Sequence, residues 1–329
     1  MTTLPDGIEQ FLSQSGWGGA KIEAIPGDAS FRRYFRIRRA RETAMLMYAP
    51  PPEEDPRPFV QVAQWLLAND MRAPKLLAQD LDAGWLLTED FGDDRMREWV
   101  ESRPDSEEAI YAQAIDALVQ LHQKPAGPLD PYDMTVYQRE AGLLTEWYTP
   151  AMGLEVDNER YRAAWHEVLA PLIMRQVPGV TVLRDYHAEN IMILGQSGIR
   201  DGEQGLIDFQ DALVGHPAYD LVSLLQDARR DVSPELERAM LERYIAGANP
   251  GPDFEADYAI LGAQRNAKIV GIFTRLHKRD GKPRYLGYIP RVWALMEGDL
   301  EHPALAPVAA WFDANIPDDL RKYGGGTIE

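Results

Sequence analysis

The sequence predicts an α+β protein, a small β-rich lobe followed by a larger helical lobe. Three observations predict it. Residues 22–52 read as strands that stop at three consecutive prolines. From about Met96 onward the apolar residues recur at helical spacing. Only one short strand pair, built from IMIL and GLIDF, interrupts the helices. In order, a short N-terminal helix precedes IEAI, a turn at Gly27 and Asp28, the strand RYFRIRR and the strand ETAMLMY. In PFVQVAQWLLAND, the residues Phe59, Val62, Ala63, Leu66 and Leu67 fall on one helical face. KLLAQDLDAGWLLTEDFGD reads as a hairpin around Asp82 to Gly84 that runs into a connector. The lobes therefore divide near Phe91 to Arg95, giving 1–91 and 92–329. In the second, Ile110, Ala114, Ala117, Leu118 and Leu121 share a face, and SPELERAMLERYIAGA carries Ser233 as cap, Pro234 at the first helical position and Gly247 near its end.

Composition narrows the function. A chain of 329 residues with 45% hydrophobic and 26% charged residues can bury a sizeable core. No apolar run reaches the length that crosses a bilayer, and MTTLPDGIEQ lacks the basic start and apolar core of a signal peptide, so a cytoplasmic protein is expected. With no cysteine there is no disulfide, thiolate metal site or cysteine nucleophile. A formal net charge of −18 argues against nucleic acid and anionic membrane as partners. It leaves nucleotides open, because a divalent cation can mediate between carboxylates and phosphates. No protein partner is inferred.

The chemistry concentrates in LRDYHAENIMIL at 183–194 and GLIDFQD at 205–211. If IMIL and GLIDF pair antiparallel, Asn190 lies opposite Asp208, with Cβ atoms roughly 5 Å apart. An amide and a carboxylate oxygen at that separation can share Mg²⁺, which keeps its other positions for water and substrate phosphates. Asp185 lies five residues before Asn190, in the turn leading to the strand. It can accept a proton from an attacking hydroxyl while the metal neutralises the transferring phosphoryl group.

Asp-x-x-x-x-Asn followed by an Asp after the next strand is the catalytic pattern of the protein-kinase-like bilobal fold. LRDYHAEN and LIDFQD resemble the motifs of the aminoglycoside phosphotransferase family, its small-molecule branch. GDASFRRYFRI, MYAPPP, LLTEDFGD and LGAQRNAKIVGIFTRLHKRDGKPRYL further resemble the cell-wall recycling kinases of that family. Those enzymes phosphorylate the anomeric hydroxyl of N-acetylmuramic acid and N-acetylglucosamine. The resemblance implies ATP and Mg²⁺ as cofactors and a small sugar as substrate, with Asp185 as base and Asn190 and Asp208 as metal ligands. It implies a phosphate lid at Ser30, Phe31, Arg32 and Arg33, and a hinge at Thr88, Glu89 and Asp90 whose backbone meets the adenine edge. It further implies that Asp220 braces the catalytic loop, although the residues alone equally allow a helix cap. His187, inside the loop, reads as a packing residue.

For the acceptor side, Arg265 and Lys268 lie three apart on one helical face and are candidates for a substrate carboxylate; intraprotein ion pairing is the alternative. Asp211, next to the metal motif, is a further substrate candidate. Two features depart from kinases at large. The third strand AMLMYAPP has no Lys, and the helix PFVQVAQWLL has no Glu to pair with one. Arg32 or Arg33 is the expected replacement for that positive charge. Rival readings are a kinase for an aminoglycoside, choline or homoserine, and a pseudokinase that binds nucleotide without transfer.

Overall fold

A computed structural model describes residues 4–26, 31–195 and 204–328. The chain forms two compact units, Met1–Ile110 with Glu189–Asp211, and Tyr111–Ala188 with Ala212–Glu329. Among the described residues no helix is long and apolar enough to cross a membrane.

The first unit opens with α1 (Ile8–Gln14) and then builds β1 (Lys21–Ile25), β2 (Arg33–Arg39) and β3 (Glu42–Tyr48). After α2 (Arg57–Ala68) follow β4 (Leu76–Asp80), β5 (Trp85–Glu89) and α3 (Met96–Ser102). The five strands form one antiparallel sheet in the order β1-β2-β3-β5-β4. Its core gathers Phe35, Ile37, Ala44, Leu46, Trp85 and Leu87 with Ile8, Phe11 and Leu12 of α1, which explains why so short a helix holds its place. The β4–β5 turn falls where the sequence places it. At that turn Gly84 has φ +79°, its carbonyl accepts the Ala49 N–H at 2.8 Å, and a Cβ would stand 2.0 Å from the Ala49 carbonyl oxygen. No other residue fits that close approach.

The second unit holds α4 (Glu107–His122) from Tyr111 onward, then α5 (Met134–Ala141), a π-helical turn at Leu144–Tyr148, and α6 (Asn158–Arg175). Later come α7 (Ala218–Leu225), α8 (Pro234–Ala248), the long central α9 (Phe254–Lys278), α10 (Ile289–Leu300) and α11 (Ala306–Asn315). Asp133, Asp157 and Ser233 cap α5, α6 and α8 by accepting backbone N–H groups of the first turn. Gly247 falls near the end of helix α8 as expected, and Asn249, left-handed at φ 47°, caps it. Asn tolerates that conformation because its short polar side chain bonds locally.

Four short strands carry the motif segments. β6 (Val180–Val182) pairs with β9 (Leu213–Gly215), and β7 (Ile191–Ile193) pairs with β8 (Gln204–Leu206), both antiparallel. The β7–β8 pair is the expected one. The β6–β9 pair is additional, and three-residue strands are too short to show a period of two in sequence.

Replacing Gly84 with Ala should cost about 2–4 kcal/mol, combining a strained positive φ with a backbone clash. Urea denaturation checks this; a loss of less than about 0.5 kcal/mol, the range of ordinary surface changes, contradicts it.

Candidate active site

In the first unit, β7 and β8 pair Ile191 with Leu206, and the ladder continues through the Ile207 N–H to the Asn190 carbonyl at 3.1 Å. Asn190 therefore faces Ile207, not Asp208 as expected from the strand pattern. Asp208 is recovered by its backbone. It leaves the strand at φ 59°, which turns the side chain back, so that Asn190 Nδ2 and Asp208 Oδ2 lie 3.5 Å apart. A left-handed non-glycine costs about 1–3 kcal/mol and persists where surrounding structure enforces it. Here Gln210 Nε2 donates to Asp208 Oδ1 at 3.2 Å and to Asp211 Oδ2 at 3.1 Å, linking the exposed Asp211 to the pair. The Phe209 ring stacks on Phe59 of α2 at 4.8 Å.

The donor set fits Mg²⁺: one amide and one carboxylate, both hard oxygen ligands once the amide is turned to present its oxygen. Among the described residues no group of three or more His, Asp or Glu side chains is placed to hold a metal, so most of the ion's coordination would come from water and phosphate.

Arg32, expected in the phosphate lid, lies next to this pair. Its Nη1 lies 3.8 Å from Asp208 Oδ1 and its Nε 3.9 Å from Glu54 Oε2, and its side chain is mostly buried. Burial works against its charge, but Tyr34, Asp208, Glu54 and Asp211 more than offset that. Arg33 lies over the Phe35 ring at 5.3 Å, and Phe31 is 70% exposed. Ser30 lies outside the described residues.

Of the residues expected to form the hinge, Glu89 and Asp90 are each held by an arginine that sequence reasoning did not single out. Arg72 makes a two-pronged bond to Glu89, at 2.6 and 2.9 Å, and keeps that carboxylate below its usual range. The Glu89 N–H is given to the Lys75 carbonyl at 2.9 Å. Buried Arg36 bonds Asp90 at 2.8 and 3.1 Å, Asp93 at 2.7 Å and the Gly92 carbonyl at 3.0 Å. Thr88 is buried, its hydroxyl on the Met45 carbonyl at 3.3 Å. The available signal was the run TEDFGDD, four acids in seven residues that require cations nearby. Arg72 also stacks over Phe91 at 4.5 Å, and its carbonyl accepts the Leu206 N–H at 2.8 Å. A Cβ at Gly205 would stand 2.5 Å from the Phe91 ring, so glycine lets β8 pack against this segment.

In the second unit, β6 runs directly into the loop of Asp185. Asp220, in the first turn of α7 and fully buried, accepts the Leu183 N–H at 2.6 Å and the Arg184 N–H at 2.8 Å. Burial pushes its carboxyl up, to about 7, while those two donors pull it back. Arg184 has φ 70°, and its carbonyl accepts the Ser223 hydroxyl at 3.2 Å; Ser223 in turn accepts Arg265 Nη2 at 2.8 Å. The Tyr186 hydroxyl on the Ala114 carbonyl, 2.8 Å, ties the loop to α4. His187 is buried with Nε2 3.5 Å from Arg229, and burial lowers its pKa.

Partly exposed Asp185 sits in a field of cations. Burial raises its carboxyl, but Lys268, His187, Arg265 and Arg184 outweigh that and hold it below the ordinary aspartate range. It is thus ionised at neutral pH. Lys268 and Arg265 both have partners within the protein. Lys268 pairs with Glu140 at 3.1 Å and donates to the Tyr219 hydroxyl at 3.1 Å, and Arg265 is only 4% exposed. Buried Glu140 also accepts Arg184 and the Tyr132 hydroxyl. It is the second omission from the sequence reading, since a lone Glu inside QREAG carries no motif.

A model of the phosphotransferase enzyme family matches residues 21–258. The chain is 38% identical to an N-acetylmuramate/N-acetylglucosamine kinase of Caulobacter vibrioides, covering 95% of this chain and 96% of that protein. It is 38% identical to the protein of that description in Pseudomonas aeruginosa, covering 88% and 87% respectively. Solved structures share the fold. A putative aminoglycoside phosphotransferase from Ralstonia eutropha aligns with a TM-score of 0.66 at 15% identity, over 92% of this chain and 98% of that one. A choline kinase from Streptococcus pneumoniae aligns at 0.64 and 14%, over 90% and 100%. The fold is thus protein-kinase-like, and the chain belongs to the phosphotransferase enzyme family, as an enzyme of phosphoryl transfer to a hydroxyl acceptor.

Proposed function

We propose that this enzyme transfers the γ-phosphoryl group of ATP to the anomeric hydroxyl of N-acetylmuramic acid or N-acetylglucosamine, releasing ADP and a sugar 1-phosphate. The observation that carries the phosphoryl-transfer chemistry is the Asn190–Asp208 pair, 3.5 Å apart and held at the end of a strand pair. The acceptor class rests on the relatives, 34–38% identical, that are described as kinases of these two amino sugars.

In this reading Asn190 and Asp208 would hold Mg²⁺, which would supply positive charge to the phosphoryl oxygens. Asp185 accepts the O1 proton as the O1–phosphorus bond forms and the bond to the bridging oxygen of ADP breaks. Anomeric hydroxyls are more acidic than ordinary alcohols, so an aspartate held low by its neighbours is basic enough. Arg32 supplies the positive charge that the third strand lacks. The backbone of Thr88 to Asp90 meets the adenine, held by Arg36 and Arg72. Arg265 and Lys268 act on Asp185 and its loop, since their cationic groups are engaged within the protein. Asp220 sets the loop backbone.

Asp185→Ala should lower kcat by about 10²–10⁴-fold, the usual contribution of a general base, with ADP affinity unchanged within about twofold. Asp208→Ala should weaken Mg·ATP binding as well. Single-turnover rates and calorimetric nucleotide titration separate the two, and an active Asp185→Ala enzyme refutes the assignment.

Arg32→Ala should lower kcat/KM for ATP by at least about tenfold, the scale of one charge-assisted phosphate contact, and Arg33→Ala by less than threefold. Equal effects would remove Arg32 from the phosphate role.

With a panel of amino sugars and aminoglycosides, ADP release should be fastest with the two N-acetyl sugars, and their products should lose reducing-end reactivity. A product that still reduces would place the phosphate elsewhere.

A further inference from the structure

The second unit contains a cavity of about 810 Å³ that shares no residue with the site above. It opens between α5, the π-helical turn and the first half of α6. Its volume falls in the range of small-molecule pockets. Arg139, Arg162 and His166 line it, and among the described residues none of the three makes an ion pair. In a chain of net charge −18, where arginines such as 36, 38, 57, 72, 97, 175, 243, 291 and 321 are paired to carboxylates, this cavity gathers two arginines that are not. Arg162 and His166 lie four apart and so share one face of α6. Gln138 Nε2 donates to the Arg162 carbonyl at 3.2 Å, which joins the two helices across the cavity.

The rest of the lining is not that of a bare anion site. Glu146 and Asn158 present an acceptor and an amide beside the cations. Glu146 would repel a plain polyanion, but a ligand with hydroxyls can donate to it while its anionic groups meet the arginines. The π-helical turn Leu144–Tyr148 supplies two lining residues, Thr145 and Glu146. Such turns widen a helix at some cost in hydrogen-bond geometry and are found mostly at functional sites. We infer that this cavity is a second ligand site, taking a hydroxylated polyanion of the sugar-phosphate class, with Arg139 and Arg162 on its anionic groups and Glu146 on its hydroxyls.

The test is calorimetric titration of the full-length enzyme, free of Mg²⁺, with fructose 1,6-bisphosphate as probe and glucose as its neutral control. Wild type should bind the bisphosphate with Kd below about 1 mM, a modest free energy for a ligand held by two guanidinium groups, and should not bind glucose. Arg139→Gln/Arg162→Gln should weaken binding at least tenfold, with the melting temperature and kinase rate unchanged because neither residue belongs to the catalytic machinery. Asp208→Ala should bind the probe as wild type does. No binding up to 10 mM, equal binding by the double variant, or loss of binding in Asp208→Ala alone would each overturn the inference. None of these outcomes depends on which sugar the enzyme phosphorylates.

Discussion

The carboxylate of Asp220, accepting the N–H groups of Leu183 and Arg184, is the contact on which the loop of Asp185 depends. Both donors precede Asp185, so the bond pair fixes the backbone that aims it. A neutral amide at 220 has a single acceptor oxygen and would turn an NH₂ group toward a second N–H, leaving one buried donor unsatisfied. Ser223, one turn later on α7, completes the arrangement by donating to the Arg184 carbonyl. One helix therefore holds both polar groups of a residue with left-handed backbone. That is how a loop with so little regular structure is kept in one conformation.

A second theme is how an acidic chain distributes its cations. Arg36 and Arg72 neutralise Asp90, Asp93 and Glu89 of the acidic run after β4, whereas Lys268 and Arg184 converge on Glu140. Glu140 keeps two cations in place that would otherwise repel each other, and both contribute to holding Asp185 ionised. Removing one partner of such a cluster leaves the others uncompensated in a poor dielectric, which is costlier than losing a surface pair.

Much of this was legible in the sequence, for physical reasons that differ from place to place. The sheet of the first unit announced itself by the turn formers and the prolines that bound its strands, and the β4–β5 turn by Asp82 to Gly84. The β7–β8 pair followed from the two short apolar runs IMIL and GLIDF. The register was one residue off, because strand logic assumes extended backbone and Asp208 leaves the strand at positive φ. Strands β6 and β9 are three residues each and leave no periodic trace. Glu140, Arg36 and Arg72 were invisible for another reason. Their partners are far away in sequence (Arg36 and Asp93 are 57 positions apart), and single-sequence reasoning has no means of pairing charges at such range. The cavity beside α5 belongs to the same class, being a property of two helices packed together and not of either one.

The left-handed backbone of Arg184 binds two demands to a single residue. Glycine would adopt that conformation at no steric cost, yet it would bring no guanidinium to Glu140. Any long cationic side chain meets the electrostatic demand but brings the Cβ that the conformation penalises. The position accepts local backbone discomfort in return for charge balance in the interior. Sequence change there is consequently confined along a narrow path: relief of the backbone is open only to chains that also give up, or re-supply from elsewhere, the cation that Glu140 holds.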